Sequence, residues 1–170
     1  MVLSGEHRRN WGKLHIGQSP EGDILVAALT DSGVSDPAML DQFLDAGIPL
    51  NKVIADGAYY DLDRNTALLA QGITPVIPPK VNAKVNNKPG TEHHDQLVQY
   101  IEEKEIYAFH KKYGYGVRAK VEAQFSRLKR CLGENLKLRR DSSRRNEGIV
   151  IVNILNLWNS FVRAQYFQIA

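Results

Sequence analysis

The sequence predicts an α/β protein in which a mixed sheet is flanked by helices. Two aliphatic segments joined by turn residues open the chain, a strand–helix–strand alternation follows, and the last third has helical patterning. The 170 residues, 43% hydrophobic and 24% charged, suit one globular domain.

The N-terminal part of the chain predicts a hairpin and then a helix. Residues 11–18 and 24–30 have strand composition, and Ser19–Asp23 between them has turn composition. Asp36 followed by Pro37 is typical of a helix start, with Asp36 as the N-cap.

The middle of the chain predicts a parallel strand pair. Residues 52–56 and 73–77 are short apolar strands, and residues 61–70 between them have a helical pattern. This order predicts a parallel βαβ unit within a mixed sheet. The polar residues 80–93 predict a mobile loop.

The C-terminal part predicts three helices, at about residues 95–109, 115–132 and 146–166. The last is apolar on most sides, so it must be buried by the sheet or by a partner.

Positive charge is concentrated in residues 107–145, which hold 12 Lys and Arg against 3 Asp and Glu. The remainder holds 10 against 16. A basic segment on an acidic body favours binding of a polyanion such as nucleic acid. A solvated helix face would have the same composition.

Several classes of protein are excluded by composition. The single cysteine, Cys131, excludes an internal disulfide framework and a Cys-rich zinc site. The apolar runs, Ile149–Val152 among them, are far too short to span a bilayer. Residues 1–13 lack the apolar core of a secretory signal, so we expect a cytoplasmic protein without a membrane partner.

Asp56 is the first candidate for chemistry because it ends a predicted parallel strand. Ligands gather at that edge of α/β sheets, and a carboxylate there can hold a hard cation. An ordinary Asp-Gly turn is the alternative.

We expect the His93-His94-Asp95 run to be structural rather than a metal site, because it lacks a second ligand pair at a recognisable spacing.

The second candidate is the helix that carries Tyr115, Arg118, Glu122 and Lys129. These spacings place the four side chains on one side of a helix. Arg118 and Lys129 are suited to bind phosphate, and Glu122 to complete a metal site. The alternative is an amphipathic helix with an ordinary Arg118–Glu122 ion pair.

The spacing of these four residues resembles the Tyr-Arg-Glu-Lys signature of bacterial insertion-sequence DDE transposases. Three further blocks are similar to that family and occur in its order: Trp11–His15, Ala55–Tyr59, and Ile77–Lys80 with Asn82-Ala83. The resemblance covers about residues 11–160.

The resemblance implies a ribonuclease H-like catalytic domain that cleaves and joins double-stranded DNA at terminal inverted repeats, in the bacterial nucleoid. Three carboxylates in such enzymes hold two Mg²⁺ or Mn²⁺ ions. Asp56 matches the second aspartate and Glu122 the glutamate, which makes both catalytic and metal-binding. Tyr115, Arg118 and Lys129 match expected DNA contacts.

One departure concerns the family's first aspartate, which precedes the block matched by Trp11–His15. None of residues 1–10 is an aspartate. We therefore expect residues 1–10 to be an N-terminal remnant. Residues 11–170 would be a truncated ribonuclease H-like domain that lacks its first, central strand, the neighbour of the strands matching residues 11–18 and 51–56.

Three functions follow from these observations. The first is a metal-dependent DNA strand-transferase, expected to be inactive alone without the first aspartate. The second is a non-catalytic DNA-binding remnant that joins or inhibits an intact transposase, as a homodimer or a mixed assembly. The third is another ribonuclease H-like nuclease, which the four-residue helix signature disfavours.

Overall fold

The structure, a computed structural model, describes residues 12–133, 135–138 and 140–162. The predictions for residues 1–10, for Trp11 and for residues 163–170 lie outside these ranges. The described elements are β1 (Gly12–Gln18), β2 (Ile24–Asp31), α1 (Asp36–Leu44), β3 (Lys52–Ile54), α2 (Leu62–Ala70), β4 (Thr74–Val76), α3 (Glu92–Tyr113), α4 (Ala119–Leu132) and α5 (Asp141–Val162). Short 3₁₀ turns lie at Gly57–Tyr59 and Tyr115–Arg118.

The predicted hairpin is present. Strands β1 and β2 are antiparallel, with Gly12 opposite Asp31 and Gln18 opposite Ile24. The turn between them includes Gly22 at φ +105°, a conformation that glycine adopts without steric cost.

The predicted βαβ unit is also present. Strands β3 and β4 are parallel, with Lys52 opposite Thr74 and Ile54 opposite Val76, and α2 connects them. Asp61 caps α2 by accepting a hydrogen bond from the Arg64 N–H at 2.9 Å.

The two strand pairs do not join into the single mixed sheet that the sequence predicts. Within the described residues, β1 pairs only with β2 and β3 only with β4. Strands β1 and β3 nevertheless line one cavity of about 350 Å³, together with apolar side chains of α1 and α4. We call this cavity the inter-sheet groove. The protein is α/β, but its sheet is divided at this groove.

Several helix termini differ from the sequence prediction, and α4 and α5 begin at Ala119 and Asp141 rather than at residues 115 and 146. The N-cap of α1 is Ser35 rather than Asp36, because the Ser35 hydroxyl accepts from the Ala38 N–H at 3.4 Å. Helix α3 begins at Glu92 and is interrupted at Glu105, which has φ 66°.

Asp95 organises the segment for which the sequence predicts a mobile loop. Its carboxylate accepts from the backbone N–H groups of Asn86 at 2.7 Å and Asn87 at 2.9 Å. It also accepts from the Thr91 hydroxyl at 2.9 Å. These bonds, rather than burial, lower the pKa of Asp95, and they tie the loop to α3.

The core consists of two clusters, one against each strand pair. Val76, Leu97, Phe109 and Tyr115 form the first cluster, beside β3 and β4. Ile24, Val152 and Leu155 form the second, where α5 packs on β2. The apolar α5 is therefore covered by a sheet on one side, as expected. No helix in the described part of the chain is long and apolar enough to cross a membrane.

Candidate active site

Asp56 lies immediately after β3 and is held by the turn that follows. Its Oδ1 accepts from the Ala58 N–H at 3.0 Å, which caps the 3₁₀ turn. Gly57 packs closely on the next block, because a Cβ at this position would lie only 3.3 Å from the Pro78 carbonyl oxygen. Gly57 and Pro78 belong to two of the blocks noted in the sequence, so their close approach brings these blocks together. The cap uses only Oδ1 of Asp56, and Oδ2 can therefore bind another partner.

That partner is Arg118, which bridges Asp56 and Glu122. Its Nη1 lies 3.1 Å from Asp56 Oδ2, and its Nη2 lies 2.6 Å from Glu122 Oε1. Because both nitrogens belong to one rigid guanidinium, the two carboxylate oxygens are within about 8 Å of each other. Asp56 and Glu122 therefore lie close together at the end of β3.

The three side chains are open to solvent at the end of the inter-sheet groove. Exposure is 51% for Asp56, 59% for Glu122 and 30% for Arg118. Carboxylate oxygens are the ligands that Mg²⁺ and Mn²⁺ prefer, so this donor set fits a hard divalent ion. In the structure, the Arg118 guanidinium supplies the positive charge between them.

Tyr115 lies in the core, which differs from the surface position expected of a DNA contact. Its ring is 7% exposed and stacks on His110 with the centroids 4.7 Å apart. Burial raises the pKa of its phenol. The centre of the Arg118 guanidinium lies 5.6 Å from the Tyr115 ring centroid, so the tyrosine makes a cation–π contact with the arginine.

Lys129 is exposed on α4. It follows Glu122 by seven residues, which is about 10 Å along a helix axis. Tyr115 and Arg118 occupy a 3₁₀ turn before α4 rather than the helix itself. The four signature residues therefore do not form one helical stripe, and their functional roles stay predictions.

His15 and Tyr59 support the site, although their sequence positions alone indicate no role. The His15 ring nitrogens lie 3.1 Å from the Tyr59 hydroxyl and 3.1 Å from the Thr30 hydroxyl. Burial lowers the pKa of His15 and raises that of Tyr59 to about 12, so both are neutral near pH 7. Both residues lie in the blocks that resemble the transposase family, Trp11–His15 and Ala55–Tyr59. This position in the blocks is the sequence signal that could have identified them. They connect β1 to the turn that holds Asp56.

No group of three His, Cys, Asp or Glu side chains within the described ranges is arranged to hold a metal ion. In the His93-His94-Asp95 run, the hydrogen bonds of His94 and Asp95 are structural. His94 accepts from the Tyr60 hydroxyl and donates to the Lys84 carbonyl oxygen, and Asp95 holds the loop.

An α/β scaffold that presents two carboxylates and an arginine at the end of a parallel strand is typical of proteins that act on phosphate esters with divalent ions. The family model described as "Transposase DDE domain" matches residues 4–157, and the chain belongs to this family. No curated protein and no solved structure gives a significant match. Membership indicates a function in DNA transposition, with DNA binding and divalent metal ions.

Proposed function

We propose that this chain contributes two of the three carboxylates of a ribonuclease H-like transposase site that cleaves and joins DNA at insertion-sequence ends. Asp56 and Glu122 would be its metal ligands. The observation that carries the proposal is the Arg118 bridge, which gathers both carboxylates at the end of β3. The third carboxylate would come from outside the described residues, because these gather only two at the site.

The chain's own residues have distinct parts in this proposal. The capped turn fixes Asp56, and the first turn of α4 carries Glu122. When bound, the divalent ions would activate the attacking water or 3′-hydroxyl and stabilise the displaced phosphate. Arg118 would then exchange a carboxylate for a DNA phosphate, which its planar guanidinium binds equally well. Lys129 would contact phosphate further along α4.

A second candidate function is a non-catalytic DNA-binding protein that joins or inhibits an intact transposase. The observation that favours it is the presence of two carboxylates, rather than three, at the site within the described ranges. The two candidates differ in one respect that is measurable. Only the catalytic role requires a metal ion at Asp56 and Glu122.

DNA binding with and without Mn²⁺ tests the proposal. The full chain is titrated with a labelled duplex from the DNA that flanks its own coding sequence, at several salt concentrations. We expect affinity to fall steeply with salt, and the Arg118→Ala, Lys129→Ala variant to lower the log–log slope by about one unit for each lost phosphate contact. Lys104→Ala, outside the basic segment, is the control.

Mn²⁺ should strengthen DNA binding by the wild type, and not by the Asp56→Asn, Glu122→Gln variant. Asp63→Asn, an exposed carboxylate on α2, should behave as wild type. We expect no cleavage by the chain alone. Metal-dependent cleavage that Glu122→Gln abolishes would show that the site is complete, with Glu6 or a second subunit filling the third position. A DNA affinity that is the same with and without Mn²⁺, and the same in the Asp56→Asn, Glu122→Gln variant, would favour the non-catalytic role.

A further inference from the structure

A second concentration of positive charge lies in the loop before α3. Residues 65–91 contain three charged side chains, all of them lysine: Lys80, Lys84 and Lys88. The chain outside residues 107–145 holds 16 Asp and Glu against 10 Lys and Arg, so this segment is a local exception to its acidic character. We call residues 80–88 the lysine loop.

The side chains of the three lysines are available to bind a ligand. All three are exposed, and within the described residues none of them forms an ion pair. Val81 beside them is fully exposed, so the outer side of the loop is open to solvent. An exposed ammonium group binds phosphate as a point charge, and several together suit a polyanion.

The backbone of the lysine loop is fixed, in contrast to its side chains. The Lys84 carbonyl oxygen accepts from His94 Nε2 at 3.0 Å. The Lys88 N–H donates to the Thr91 hydroxyl at 3.2 Å, and the Lys88 carbonyl oxygen accepts from the Thr91 N–H at 3.0 Å. Asp95 accepts from two backbone N–H groups between these lysines. A loop that is ordered in advance loses little conformational entropy on binding, which favours affinity.

The lysine loop lies beside the turn that holds Asp56. The Pro78 carbonyl oxygen, two residues before the loop, is the atom that a Cβ at Gly57 would approach to 3.3 Å. His94, which bonds to the loop backbone, also accepts from the hydroxyl of Tyr60, the residue that ends this turn. The loop is therefore connected to the turn at two points, and a ligand held by the loop would be near the candidate metal site.

We infer that Lys80, Lys84 and Lys88 form a preordered phosphate-binding surface for double-stranded DNA, which holds the duplex beside Asp56. This inference rests on the proposed function and deepens it, because it adds a second DNA contact on the opposite side of the chain from α4 in sequence. DNA is the polyanion chosen because the chain belongs to a transposase family.

Salt titrations of the full chain with the labelled duplex, in the absence of Mn²⁺, test the inference. Lys80→Ala, Lys84→Ala and Lys88→Ala are measured singly. We expect each variant to lower the log–log slope of affinity against salt by about one unit, because each removes one phosphate contact. Lys104→Ala, at an exposed position of α3, is the control and should keep the wild-type slope. Alanine retains the backbone bonds of the loop, so a lower slope reports the lost charge.

A variant of Thr91 tests whether the order of the loop matters. Thr91→Val removes the hydroxyl that bonds to Lys88 and Asp95 and leaves every charge in place. We expect DNA affinity to fall about fivefold with an unchanged salt slope, because the same phosphates are bound by a less ordered loop. Thr91→Ser keeps the hydroxyl and should behave as wild type. Circular dichroism confirms that each variant is folded, and if Thr91→Val does not fold, the lysine variants decide.

Acetylation of the wild-type chain locates the contact without any substitution. The chain is treated with a limiting amount of acetylating reagent, with and without the duplex, and the modified lysines are identified by mass spectrometry. We expect DNA to slow acetylation of the three lysines of the loop and to leave that of Lys104 unchanged.

Two results would overturn the inference: wild-type salt slopes in all three lysine variants, or acetylation of the loop that DNA does not slow. The Arg118→Ala, Lys129→Ala variant, measured in the same titration, separates this failure from that of the proposed function. If it lowers the slope and the loop variants do not, the proposed function stands and the inference fails. If the wild type does not bind the duplex, both fail.

Discussion

Arg118 determines the electrostatic state of the candidate site. Its guanidinium neutralises one of the two carboxylate charges that it contacts, and the Tyr115 ring limits where it can move. A divalent ion between Asp56 and Glu122 would occupy the same position relative to the carboxylates. Arg118 and the metal ion should therefore compete, and DNA phosphate should favour the metal by drawing Arg118 away.

Replacing this arginine should strengthen metal binding. We expect Arg118→Gln to bind Mn²⁺ about tenfold more tightly than wild type in an isothermal titration without DNA, because a competing positive charge is removed. Solvent screening keeps the effect below that of a buried pair, since all three side chains are partly exposed.

Arg130 is an exposed arginine on α4, so Arg130→Gln is the control and should leave the affinity unchanged. An Arg118→Gln protein that binds Mn²⁺ no better than wild type would show that the arginine is not a competitor for the metal.

At the scale of elements, local sequence patterns predicted both hairpin strands, the βαβ unit and the packing of α5. Each depends on side-chain periodicity and turn residues within about 25 positions. The end of β3 and the start of α4 also have local signals, whereas the shared contact of Asp56 and Glu122 with Arg118 depends on tertiary packing. The four-residue signature could not reveal that a 3₁₀ turn interrupts its helical spacing, because tertiary packing of Tyr115 decides this.

Other features depend on contacts that no local pattern indicates. The ordered loop before α3 depends on two backbone bonds to Asp95 that no local pattern announces. The support that Tyr59 gives to His15 spans 44 positions. The division of the sheet follows from strand pairing. A central strand pairs with one strand on each side. The composition of β1 and β3 therefore does not reveal whether a strand lies between them.

Across the whole molecule, the two core clusters belong to different strand pairs. One contains Leu97 and the other Leu155, and both leucines are 1% exposed. Within the described residues, the bond between His15 and Tyr59 links the two strand pairs. A divided sheet should therefore unfold in two partly independent steps.

Matched leucine truncations test this independence. Each should cost about 2–5 kcal/mol of local stability through the cavity it creates. In hydrogen exchange with mass spectrometry, we expect Leu155→Ala to accelerate exchange mainly in β2 and α5. Leu97→Ala should accelerate it mainly in β4 and α3. If both variants accelerate exchange equally in both halves, the molecule is a single cooperative unit.

The central claim is that Asp56 and Glu122 share a divalent-metal site at which Arg118 competes with the metal ion. The most direct measurement is an anomalous difference map from crystals of the full chain soaked in Mn²⁺. Our account predicts a peak between the two carboxylates, within coordination distance of both, with the Arg118 guanidinium displaced from at least one of them. A map with no peak there and Arg118 still bridging Asp56 and Glu122 would contradict it.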